Sequence, residues 1–124
     1  MKHCMEMPEE TLMVKLIKNV IHEAVFSMEK EAEYMPGQIV SKTLAQNQAV
    51  SMTIFAFDKG EEISSHKSGG DAMITVLEGT GEITIDGRKY TVRKGESIVM
   101  PAGKPHAVYA AEQFKMFLTV VFPQ

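Results

Sequence analysis

Cysteine is nearly absent from this chain: Cys4 is the only one among 124 residues. A single thiol cannot close a disulfide within the chain, so no cystine framework holds the fold, and the usage suits a reducing compartment. Cys4 follows His3, but two adjacent ligands are fewer than a closed metal site takes. Long apolar runs are also missing. None approaches the length of a membrane span. The opening "MKHCMEMPEETL" has neither an apolar signal core nor a small-residue cleavage site, so a cytoplasmic protein with no membrane partner is expected. Charge of one sign is scarce: the net is -3, and basic residues stand singly or in pairs. No nucleic-acid or anionic-lipid partner follows from such a balance. No G-x-S-x-G elbow, P-loop or dinucleotide fingerprint occurs, so acyl transfer and nucleotide chemistry have no support.

What is present is a succession of short segments rich in Val, Ile, Thr, Phe and Tyr. "QIVSKTLA", "AVSMTIFAF", "DAMITVLE", "GEITIDG", "KYTVRKG", "ESIVMP", "HAVYAA" and "FKMFLTVVF" follow one another from Gln38 onward. Turn residues separate them, among them Asp58-Lys59-Gly60, Gly69-Gly70-Asp71, Asp86-Gly87 and Pro101-Ala102-Gly103. Many short strands at this spacing predict an all-β sandwich or barrel, and the lack of intervening helical patterns argues against a parallel α/β sheet. In "ITIDGRKYTV", Asp86-Gly87 supplies the positive φ angles of a two-residue hairpin turn. Before Gln38 the pattern differs. "EETLMVKLIKNVIHEAVF" suits an amphipathic helix by its four-residue spacing and an edge strand by its β-branched content. "SMEKEAEYMPG" reads as a short helical turn closed by Pro36-Gly37. The expected organisation is an extension over 1–35 and a single barrel over 36–124.

Two spaced patterns carry the most information. The first has Gly60, five residues, His66, one residue, Ser68, three residues, Ala72, six residues and Gly79. The second, "GESIVMPAGKPHAVYA", has Gly95, five residues, Pro101, one residue, Gly103, two residues and His106. Residues two apart in a strand share a face, so His66 pairs with Ser68, and Ala72 with Ile74 and Val76. If the barrel closes, two imidazoles from distant strands can meet inside it, where a ligand or a metal would fit.

These patterns resemble the two motifs of the cupin superfamily, G-x5-H-x-H-x3,4-E-x6-G and G-x5-P-x-G-x2-H-x3-N. The resemblance runs from about Ser51 to Phe122 and implies a double-stranded β-helix, the jelly-roll barrel, which often pairs into a homodimer. In metal-binding cupins the positions of His66, Ser68, Ala72 and His106 would be His, His, Glu and His. Here Ser68 and Ala72 replace two ligands, and Ala110 stands where the second motif ends in Asn. Serine hydroxyl is a poor ligand for a transition ion and alanine is none. Asp71 faces away from Ala72 on a regular strand and would need a bulge to turn inward.

Two functions from different classes follow. One is a small-molecule-binding barrel whose pocket, formed by His66, Ser68, Ala72, Ile74 and His106, is polarised by the two histidines, with metal binding reduced or lost and a small organic molecule as partner. The other is a metal-dependent enzyme of oxygenase or isomerase type, in which His66 and His106 hold a divalent transition metal weakly, completed by water, substrate or a displaced Asp71. In either case two close imidazoles disfavour each other's protonation, so at least one is expected to titrate below the usual value near 6.5.

Overall fold

The computed structural model describes residues 15–124. Nine strands make up the fold: β1 (Ile39–Gln46), β2 (Val50–Phe57), β3 (Glu62–His66), β4 (Asp71–Glu78), β5 (Thr80–Ile85), β6 (Arg88–Arg93), β7 (Ser97–Met100), β8 (His106–Tyr109) and β9 (Phe114–Val121). They form two antiparallel sheets, one in the order β1-β2-β9-β4-β7 and the other β3-β8-β5-β6. The expected all-β jelly-roll barrel is the observed architecture.

Alternation explains which side of each strand is buried. In β4, Ala72, Ile74 and Val76 are buried, whereas Asp71 and Met73 are exposed. In β9, Phe114, Met116, Leu118 and Val120 turn to the inner cluster, and Phe117 turns to the opposite face. The inner cluster joins both sheets through Phe57, Ile74, Val76, Ile83, Val92, Val108 and Phe114. Each such aliphatic or aromatic side chain contributes about 1.5–3 kcal/mol by leaving water. The β5–β6 hairpin turns on Asp86 and Gly87, at φ 49° and 82°, as the Asp-Gly pair requires.

The outer face of the five-stranded sheet has a second cluster. Ala32, Leu44, Ile54 and Ala56 are buried there, with Val20, Met28, Tyr34 and Phe117 packed against them. Residues from the N-terminal segment thus cover the β1–β2 side of that sheet. Between Lys15 and Ser27 this segment is neither helix nor strand, unlike both sequence readings. Asn19 and Glu23 adopt positive φ (66° and 57°), which interrupts either regular form. Its polar groups go instead to β1: the Lys18 amide donates to Leu44 O at 2.8 Å and Asn19 Nδ2 to Thr43 O at 2.7 Å. These bonds fall where the β1–β2 register slips between Thr43 and Ala45, so the slip at an open sheet edge is covered by the chain's own N-terminal segment. The expected helical turn is present as a 3-10 turn at Met28–Lys30, and Gly37 has φ 67°. His3, Cys4 and the whole of "EETLMV" lie outside the described residues. Among those described, no helix is long and apolar enough to cross a membrane.

Candidate functional site

The two motif loops are tied to each other by hydrogen bonds. After β3 the chain turns through Lys67–Gly70, and Ser68 O accepts from the Gly103 amide at 2.9 Å. The Asp71 carboxylate accepts from the Ala102 amide at 2.8 Å. Gly103 has φ 80°, a conformation that glycine tolerates best. Gly70 is needed for space: a Cβ there would lie 2.4 Å from Val121 O. The turns before β4 and β8 are therefore fixed relative to one another, and so are the side chains that leave them.

His66 ends β3 and His106 opens β8, and the two are direct partners in the antiparallel register. Their ring centroids are 4.3 Å apart at an interplanar angle of 66°. The pair is unequal in depth: His106 is 4% exposed, and His66 stands at the exposed rim. Each ring is held through Nδ1, which lies 3.0 Å from Ser64 O in His66 and 3.2 Å from Lys104 O in His106. Burial pushes the His106 imidazole below the ordinary histidine range; the Lys104 carbonyl opposes this, and the His66 charge adds to it.

The two rings stand on the wall of a cavity of ≈ 280 Å³ at one end of the barrel. The five sequence-expected residues, His66, Ser68, Ala72, Ile74 and His106, all line it. Ile63, Lys67, Phe55 and Leu118 join them, with Met100 and Met116 as buried walls. Lys67, Ile63 and Leu118 were not singled out by sequence reasoning. Ile63 is three residues from His66, so on a regular strand the two would face opposite sides. The register of β3 against β8 shifts between them, and both reach the cavity. Likewise His66 and Ser68 share the cavity through the turn that follows β3, because the strand ends at His66. Lys67 follows from the same turn.

Asp71 is turned out. It lines a separate shallow recess with Gly69, Gly70 and Val121, and its carboxylate is occupied by the Ala102 amide. No carboxylate among the described residues lines the histidine cavity. Nor do the described residues gather three or more His, Cys, Asp or Glu side chains able to hold a metal. Two imidazoles with a lysine on the same cavity wall are a poor match for a dication that commonly takes three or more protein ligands. The donor set therefore does not fit the metal centre that the fold's motif positions imply. Ala110, at the position of the family's Asn, is fully buried, and its backbone bonds Gly60 and Glu61.

Other carboxylates are engaged elsewhere. Glu78 accepts from the Tyr34 hydroxyl at 2.5 Å, Glu82 is 3.4 Å from Lys89, and Glu96 accepts from the Arg93 amide.

Comparison with known proteins places these features. Residues 53–122 match the model of the cupin domain. The crystal structure of a conserved protein of unknown function from Streptococcus pyogenes superposes with a TM-score of 0.88 at 47% identity, over 90% of this chain and 98% of that one. A cupin superfamily protein from Desulfitobacterium hafniense superposes with a TM-score of 0.82 at 29% identity, over 86% of this chain and 98% of that one. Among curated proteins, a 5-nitrosalicylic acid 1,2-dioxygenase from a Bradyrhizobium species is 35% identical over 48 residues, which is 39% of this chain. The chain spans about a quarter of that relative's length, 23%.

Proposed function

The chain belongs to the cupin domain family, and from that premise we propose that it binds a small organic molecule in its barrel without a tightly held metal. The observation that carries this reading is the cavity. It is apolar along Phe55, Ile74, Met116 and Leu118 and polar only at His66, Lys67, Ser68 and His106. Ligand pockets are commonly of this kind, mostly apolar with a few convergent polar groups. Its ≈ 280 Å³ lies just below the roughly 300–1,000 Å³ of drug-sized sites, so the guest is small. Thermal melts of tag-free, chelator-treated protein against a library of small aromatic and aliphatic compounds test the reading. A ligand that raises the melting temperature, and no longer does so when Ala72→Leu fills the cavity, supports it. A library that leaves the wild-type melt unmoved counts against it.

A second reading, a metal-dependent enzyme of oxygenase or isomerase type, draws on the similarity to the nitrosalicylate dioxygenase and on the two carbonyl-anchored imidazoles. Metal-ligating histidines are commonly anchored through the other ring nitrogen in this way. Near-stoichiometric transition metal in the purified protein, lost in His106→Ala, would favour it over the first.

Pairing into a homodimer belongs to the same proposal. Met73, Val99 and Val121 are exposed on the five-stranded sheet, away from the part covered by the N-terminal segment. Light scattering on wild type and on Val99→Lys reads this: a dimer that the lysine breaks supports pairing through this face, and a wild-type monomer removes it.

A further inference from the structure

The two cavity imidazoles are anchored in the same way, and the anchoring decides what they can offer a guest. Each Nδ1 faces a backbone carbonyl oxygen, at Ser64 for His66 and at Lys104 for His106. A carbonyl oxygen only accepts, so Nδ1 carries the proton in each neutral ring and Nε2 keeps a lone pair. The two rings line the cavity with centroids 4.3 Å apart, and each then has one acceptor nitrogen, Nε2. No carboxylic acid among the described residues lines the cavity to donate to them. The donors on the wall are of another kind. Ser68 Oγ accepts from the Gly70 amide at 3.2 Å, which leaves its own hydroxyl proton free, and the exposed Lys67 lines the same cavity.

Resting on the small-molecule reading above, we propose that the guest is a small apolar molecule with an acidic hydroxyl of phenol or enol type. Its O–H donates to the paired Nε2 atoms, and its oxygen accepts from Ser68 or Lys67. A hydroxyl does both at one atom, which suits a wall where acceptors and donors stand side by side. An ammonium group only donates and would meet Lys67. An ether or ester only accepts and would place lone pairs against the two Nε2 atoms, leaving the acceptor of the buried His106 ring unpaired. A phenol is favoured over an aliphatic alcohol because its body is apolar and flat enough for Phe55, Ile74 and Leu118, while its proton is the more acidic.

The test uses a matched pair on the full-length, chelator-treated chain near pH 7.5: 4-methylphenol and its methyl ether. Binding is followed by titration calorimetry and by amide shifts of cavity residues, with long-range 1H–15N spectra reading the tautomer of each imidazole. The expected result is Nδ1–H tautomers and binding of the phenol at least about tenfold tighter than the ether. That preference should shrink in His66→Leu, a change at the exposed ring, and in His106→Phe. Equal or tighter binding of the ether overturns the proposal but leaves small-molecule binding intact. Protons on Nε2 of both rings overturn it whatever binds. If neither compound perturbs the cavity at millimolar concentration, the proposal falls together with the reading beneath it.

Discussion

The two ends of the barrel are built from the same strands and differ in what fills them. At one end Phe57 and Phe114 stack with centroids 4.7 Å apart and planes 17° off parallel. They are direct cross-strand partners in β2 and β9, and Gly81 leaves room for the Phe114 ring. At the other end the partners are smaller or more polar: Ala72 opposite Met100 and Val120, and His66 opposite His106. The first end is solid and the second is hollow. Two residues further along the same strands, Phe55 lines the cavity where Phe57 closes the core. Stability is concentrated where large side chains interlock, and binding becomes possible where small ones leave volume.

Substitutions at the two ends sharpen this contrast. Phe114→Ala removes the centre of the solid end and is expected to cost about 3–5 kcal/mol in denaturant unfolding. Phe55→Ala, at the cavity wall, should cost clearly less, because part of its ring already faces open volume. Equal losses would mean that the hollow end is packed as tightly as the other.

Adding atoms should discriminate as well as removing them. At Gly81 a Cβ would lie 2.7 Å from Phe114 Cε2, so Gly81→Ala forces the ring to move and is expected to destabilise by about 1–3 kcal/mol. At the hollow end Ala72→Leu places its extra carbons in the cavity. Its expected effect on stability runs from neutral to a gain of about 1 kcal/mol, with loss of ligand binding. A loss comparable with that of Gly81→Ala would contradict an open cavity beside Ala72.

The smallest effect is a pH dependence. His106 titrates below the ordinary range in the folded chain, chiefly because it is buried. The unfolded chain, with its ordinary value near 6.5, then binds the proton more readily. Stability is unaffected by this group at higher pH, and falls as pH drops from about 6.5 through the depressed folded value. Unfolding curves across that window should show the slope in wild type and a shallower one in His106→Gln. An NMR midpoint for His106 at or above 6.5 would remove the basis for it.

Most of the strands were legible because barrel strands announce themselves locally. Alternation in "DAMITVLE" marked Ala72, Ile74 and Val76 as one face, and that face is buried. The Asp86-Gly87 turn was legible for the same reason, since its φ angles are a property of two adjacent residues. The motif spacing also pointed to all five expected cavity residues. Ile63, Lys67 and Leu118 were not legible. Ile63 reaches the cavity only through a register shift in β3, Lys67 through the turn after that strand, and Leu118 through the pairing of distant strands. The segment before Ser27 misled in another way. Its apolar spacing suited a helix, but its Lys18 amide donates to Leu44 O and its Asn19 side chain to Thr43 O on β1, partners that lie far along the chain.

By itself, the order of residues determined the strands, the turns and the absence of Glu and a second His from the positions where the family's metal ligands would stand. Those are matters of local backbone preference and of side-chain identity, which neighbours cannot alter. Only the tertiary structure decided that His66 and His106 meet ring to edge, that each is anchored through Nδ1, and that Asp71 is spent on the Ala102 amide outside the cavity. Those depend on how strands forty residues apart align, and that alignment is set by the packing of the whole barrel.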